Sequence, residues 1–205
     1  SSGNFGTSTQ FKREVAAELA AVLAFSAIKN NDKVGMIIFS DKIEKFIPPN
    51  KGTKHILRII RELIDFKPEH RETDIAGALR FLTNAIKKRC IAFLISDFIN
   101  TGFEDAVQIA SRKHDLIGLR IYDRRETEMP AIGMIRVKNA ETGKSMWIDT
   151  SDKKLRSIFR QKIQEHGFYL KNVFLKSGID HASIATDQDY VKPLVNLFKK
   201  REARR

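Results

Sequence analysis

A single cysteine, Cys90, serves the whole 205-residue chain. That excludes an internal disulfide and a cysteine-based zinc site, and the place of Cys90 at the head of an apolar run predicts a small buried residue. The histidines (His55, His70, His114, His166 and His181) contain no i, i+4 pair, so the helix of a zinc hydrolase is missing too. No apolar stretch approaches the roughly 20 residues that span a bilayer, and no signal-peptide pattern is present; the expected location is the cytoplasm. Gly3-Asn-Phe-Gly6 is not followed by the Lys-Ser/Thr of a phosphate loop, and no Gly-x-Ser-x-Gly elbow occurs. Without an activated nucleophile, no enzymatic activity is expected.

The chain holds an excess of positive charge, with 37 Lys and Arg against 25 Asp and Glu, for a net +12. Part of it lies in helix faces and in the tail Lys199-Lys-Arg-Glu-Ala-Arg-Arg205. Such a surface suits nucleic acid, an anionic membrane or an acidic protein, although a solvated tail without any partner is the commoner meaning of such a run. A chain of this length buries roughly 70% of its unfolded surface, enough for one domain with its own core. No internal repeat or low-complexity tract divides residues 1–205.

The stretch that organises the rest is Cys90-Ile-Ala-Phe-Leu-Ile-Ser-Asp-Phe98. Five apolar residues without alternation suit a strand buried on both faces, as in a parallel sheet. Val34–Phe39 and Leu116–Tyr122 read the same way, Ile43–Ile47 as a short edge strand, and His181–Thr186 as a last strand. Helical spacing joins Phe11, Val15, Leu19, Val22 and Leu23, then Ile56, Ile59, Ile60, Leu63 and Ile64, then Ile75, Leu79, Leu82 and Ile86. Further helices are predicted from the Thr101-Gly-Phe-Glu104 capping box, from Thr150-Ser-Asp152 to about Leu175, and from Asp189 to about Arg201. Pro48-Pro-Asn-Lys-Gly52 reads as a turn. Met134–Lys138 and Ser145–Ile148 read as a β-hairpin turning at Gly143, an insertion over about 132–149. The alternation predicts a doubly wound α/β fold with a mostly parallel sheet.

Ligands of open α/β sheets bind at the carboxyl ends of the strands, where Asp97 stands. Asp97 as a mere helix cap is the rival reading, weakened because Thr101 offers a cap of its own. Thr73, before the helix that starts at Asp74, and Ser1 and Ser2 add hydroxyls; hydroxyls with a carboxylate are hard ligands for Mg2+ or Mn2+. Taken singly, Thr73 is more often an N-cap and Ser2 a plain loop residue. Asp123 and Glu126 form an acidic pair whose expected home is a solvated loop.

A resemblance gathers these residues. Phe5-Gly-Thr7, Lys12, Asn31-Asp-Lys-Val-Gly35, Phe39-Ser-Asp41, Ile47-Pro-Pro49, Thr73-Asp-Ile-x-x-Ala-Leu79, Ser96-Asp-Phe98, Tyr122-Asp123, Glu126, Pro130, Gly133 and Glu141-Thr-Gly143 resemble the bacterial family called domain of unknown function 58. The resemblance implies a von Willebrand factor A-type fold and work beside MoxR-type AAA+ ATPases in assembling or activating other proteins. It also implies a metal site of Asp-x-Ser-x-Ser, Thr and Asp, in which Ser2 matches the second serine, Thr73 the threonine and Asp97 the last aspartate. By that comparison the chain lacks the leading Asp, the first Ser and the first central strand, so it reads as an N-terminally truncated domain. The expectation is a metal-dependent protein-interaction domain whose partner is an AAA+ ATPase or its client. A basic nucleic-acid-binding module is the rival, and a metal-dependent phosphohydrolase would need a second carboxylate near Asp97.

Overall fold

The computed structural model describes residues 7–67, 72–138 and 145–204. In chain order these form α1 (Thr7–Lys29), β1 (Val34–Phe39), β2 (Ile43–Asn50), α2 (Thr53–Asp65), α3 (Ile75–Ala85), β3 (Ile91–Ser96) and α4 (Glu104–Lys113). Then follow β4 (Asp115–Tyr122), a 3-10 turn (Arg124–Glu126), β5 (Met134–Lys138), β6 (Ser145–Asp149), α5 (Lys153–Lys176), β7 (Asp180–Ala185) and α6 (Val191–Glu202).

The core is a parallel sheet in the order β3-β4-β7. Apolar residues fill both faces of β4, the central strand, as its uninterrupted sequence predicts. On one face Ile117, Leu119 and Ile121 meet Leu19 of α1, Ile184 of β7 and Leu194 and Leu197 of α6. On the other, Leu116 joins Leu94, Phe98, Phe103 and the inner residues of α3, α4 and α5. Gly118 belongs to this second face, where a Cβ would stand in ordinary contact with the Phe174 ring at 3.4 Å. Helices on both faces of parallel strands make the molecule a mixed α/β fold.

The expected single, mostly parallel sheet is divided. β1 pairs antiparallel with β2 alone, and β5 with β6 alone, so neither joins the parallel sheet among the described residues. The Val34–Phe39 run is therefore not buried on both faces; no residue of β1 is fully buried. β2 runs longer than Ile43–Ile47 and includes Pro48 and Pro49, which were expected in a turn. Proline fits there because β2 is an edge strand. Gly35 accommodates it, since a Cβ at that position would meet Pro49 at 2.9 Å.

Two expected caps also change. α4 begins at Glu104 after Phe103, with no side-chain cap, so Thr101 does not supply the capping box. The N-cap of α3 is Asp74, whose carboxylate accepts from the Gly77 amide at 2.8 Å. Thr73 is thus spared that role. The hairpin strands appear where expected, and Gly143 lies outside the described residues. No helix among the described residues is long and apolar enough to cross a membrane.

Candidate functional site

Backbone contacts draw three segments into one rim at the carboxyl ends of β1 and β3. Beyond β1, the buried Ser40 offers its carbonyl to the Asp74 amide at 2.7 Å. Beyond β3, the Asn100 side-chain amide donates to the Thr73 carbonyl at 2.8 Å. Asp97 and the Thr73 loop are consequently held on one edge. Ser1 and Ser2 lie outside the described residues.

The turn after β3 is fixed by its neighbours. Phe98 has φ 55, an uncommon left-handed value for a bulky side chain. Full burial holds it there, with its ring 5.3 Å from Phe174 and 6.0 Å from Phe103 between centroids. The Ser96 hydroxyl accepts from the Phe98 amide at 3.1 Å, and the Asp97 carboxylate accepts from the Ile99 amide at 3.4 Å. A residue pinned in the core thereby sets the backbone that carries Asp97.

The Asp97 carboxylate faces a cation supplied by the chain itself. Lys12 Nζ of α1 lies 3.4 Å from Asp97 Oδ2 and 2.5 Å from Glu126 Oε2. The Lys12 side chain is only 12% exposed, while the two carboxylates keep 33% and 39%. One ammonium is thus clamped between the end of β3 and the 3-10 turn beyond β4. Glu126, read from the sequence as half of an acidic pair in a solvated loop, is instead a paired second carboxylate near Asp97. Its neighbour Asp123 is buried.

Behind this triad stand Arg120 and His166. Burial lowers the pKa of the Arg120 guanidinium, opposed by Tyr122, Asp97 and Glu126. That guanidinium lies over the Tyr122 ring, 5.4 Å from its centroid. Burial likewise lowers His166, opposed by the Phe98 backbone and Asp97. Arg120 Nε and His166 Nε2 are both buried without a hydrogen-bond partner, an uncommon state for buried polar groups.

As donors, the Thr73 hydroxyl and the Asp97 carboxylate suit a hard divalent cation. Among the described residues no group of three or more His, Cys, Asp or Glu is gathered as a metal cage. Lys12 and Arg120 escaped sequence reasoning because their partners are distant in the chain. The one available signal was the presence of Lys12 and Glu126 among the residues of the family resemblance.

The chain matches the family described as "Protein of unknown function DUF58" over residues 1–169. An uncharacterized protein of Mycobacterium tuberculosis is 24% identical over 203 residues, covering 97% of this chain. This chain spans 63% of that relative's length. An uncharacterized protein of Mycobacterium avium is 26% identical over 129 residues, covering 62% of this chain and 76% of its own. Among solved structures, the conserved hypothetical protein BatB from Bacteroides thetaiotaomicron superposes with TM-score 0.57 at 17% identity, covering 93% of this chain and 87% of its own. An aerotolerance-related membrane protein from Bacteroides fragilis superposes with TM-score 0.51 at 17% identity, covering 89% and 88%. At such identity the two structures speak to the fold alone.

Proposed function

This chain belongs to the family described as "Protein of unknown function DUF58", and on that premise we propose that it is a non-enzymatic, metal-dependent protein-interaction domain. Thr73 and Asp97, joined by Ser2, hold a magnesium or manganese ion at the carboxyl rim. The ion offers a positive charge with an open coordination position, which a carboxylate of the partner fills. The fold is of the von Willebrand factor A type, and a strand between β1 and β3 completes its sheet. The partner is an AAA+ ATPase of the MoxR type, or a client of one, and the setting is the cytoplasm.

The observation that carries this reading is the Lys12 ammonium seated against Asp97 and Glu126. The pair of carboxylates attracts a cation at the strand ends where α/β sheets keep their ligands, and a divalent ion would displace the ammonium there. Among the described residues β1 and β3 each have one unpaired edge, which supports the added strand, because open edges invite pairing. The test is retention of a purified MoxR-type ATPase on the full-length protein at fixed magnesium. Asp97→Ala is expected to lower that affinity at least tenfold while the fold persists. Undiminished retention by Asp97→Ala would place the interaction elsewhere.

A further inference from the structure

The 3-10 turn that sends Glu126 toward Lys12 sends Arg124 the other way, into a groove of about 440 Å³. Arg124, Arg156 and Arg160 line this groove together with the apolar Met129, Ile132 and Phe159. Its guanidiniums are unequally engaged. Arg156 donates to the Thr150 carbonyl, and Arg124 lies 3.5 Å from Asp187. Arg160 is exposed and has no ion-pair partner among the described residues. Ile132 is 62% exposed, and just beyond it the hairpin exposes Met134 and Trp147. Neither this groove nor its arginines take part in the Asp97 rim.

We propose that this groove docks an acidic segment of a protein partner, with carboxylates against Arg124 and Arg160 and an apolar side chain against Ile132 and Phe159. Charge complementarity names the occupant: guanidiniums form paired, planar bonds to carboxylates, and aliphatic and aromatic walls take the side chain between them. The volume is that of a cleft for one or two side chains, at the lower end of ligand pockets. Nucleic acid fits less well, because a phosphate backbone needs a continuous basic track, whereas the arginines here surround a single cleft. Glu128, which also lines it, opposes either anion alike. The inference rests on the interaction reading and adds the partner's chemistry.

The experiment uses a fluorescent peptide rich in glutamate with interspersed phenylalanine, titrated with the full-length protein in the presence of chelator. Removing divalent ions separates this groove from the fate of the Asp97 site. Wild-type protein should bind the peptide, and the same peptide with glutamine for glutamate should not bind. Arg160→Glu should weaken binding about tenfold, as expected for reversal of one charge in a close pair, and Ile132→Ser severalfold. Lys200→Glu, the same charge change on the exposed face of α6, should leave affinity nearly unchanged. Equal loss with Lys200→Glu would reduce the effect to bulk charge and overturn the proposal. So would no peptide binding at all, or displacement of the peptide by an unrelated DNA duplex at comparable affinity. Retention of the ATPase that survives Asp97→Ala, with peptide binding intact, would sink the metal reading and spare the groove.

Discussion

The two ends of the parallel strands use charge in opposite ways. At the amino end, Asp115 opens β4 and Asp180 opens β7, and Arg201 of α6 binds both. Arg204 adds a second contact to Asp180 at 2.7 Å. Two carboxylates meet two guanidiniums there, and the Arg201 side chain is only 16% exposed. At the carboxyl end, Lys12 is shared by Asp97 and Glu126, while Arg120 and His166 keep buried nitrogens unpaired. The amino end pairs its carboxylates and clamps α6 to the sheet, although His114 Nε2, next to Asp115, is also buried without a hydrogen-bond partner. At the carboxyl end one ammonium serves two partly exposed carboxylates, and accessible carboxylate oxygens are what a cation site requires.

The contrast can be broken by removing each end's cation. Arg201→Ala should cost about 2 kcal/mol in denaturant unfolding, since Asp115 loses its charged hydrogen bond and Asp180 keeps only Arg204. It should leave magnesium affinity unchanged; a loss of ion binding would show that the two ends are coupled.

Acidification probes both ends next. Burial lowers the pKa of His114, of His166 and of His181. A histidine whose folded pKa is depressed stays neutral in the fold, so its stabilising effect is complete above the unfolded value of roughly 6.5. Stability should hold between pH 8 and 7 and fall as pH drops from 7 toward 5. His166→Gln should flatten part of that slope, and an unchanged slope would remove His166 from the account.

Smallest in stability is the effect of Lys12→Met, about 1 kcal/mol or less, because Asp97 and Glu126 remain open to water. Its consequence for ions is larger. With the tethered ammonium gone, magnesium should bind severalfold more tightly, as read by titration calorimetry. Weaker binding would mean that Lys12 organises the site rather than competing for it.

Much of this fold is legible in the residues, and the gaps have a common cause. β3 and β4 announce themselves through apolar runs. Helical spacing finds α2 and α3 but overstates the inner face of α2, where Ile56 and Ile59 are buried and Ile64 is 70% exposed. Val34–Phe39 and Ile91–Ile95 carry the same apolar signal, which predicts burial on both faces, yet among the described residues each has a neighbour on one edge only. β1 has no fully buried residue, and β3 has only Leu94, with Ile91 57% exposed. An apolar run states what a segment can bury, not what is present to cover it. Pro48 and Pro49 look like a turn because the edge position that tolerates them is a tertiary fact. Asp97 is found by its place at a strand end, but Glu126 and Lys12 become meaningful only once α1 has packed across the sheet. Thr101 illustrates the limit of local motifs, since its capping spacing is present and the helix starts elsewhere.

The most direct test of the central claim is titration calorimetry of magnesium into the full-length protein, with Asp97→Ala and Arg201→Ala measured alongside. Asp97 brings the negative charge between the two named donors at the rim, so its removal should abolish the binding isotherm. Its loss should barely move the unfolding midpoint, because the carboxylate is one-third exposed and packs little. Arg201→Ala should do the reverse, lowering stability and leaving the isotherm intact. Wild-type protein that takes up no magnesium, or an Asp97→Ala variant that binds it as wild type does, would contradict the assignment of the carboxyl end as the ion site.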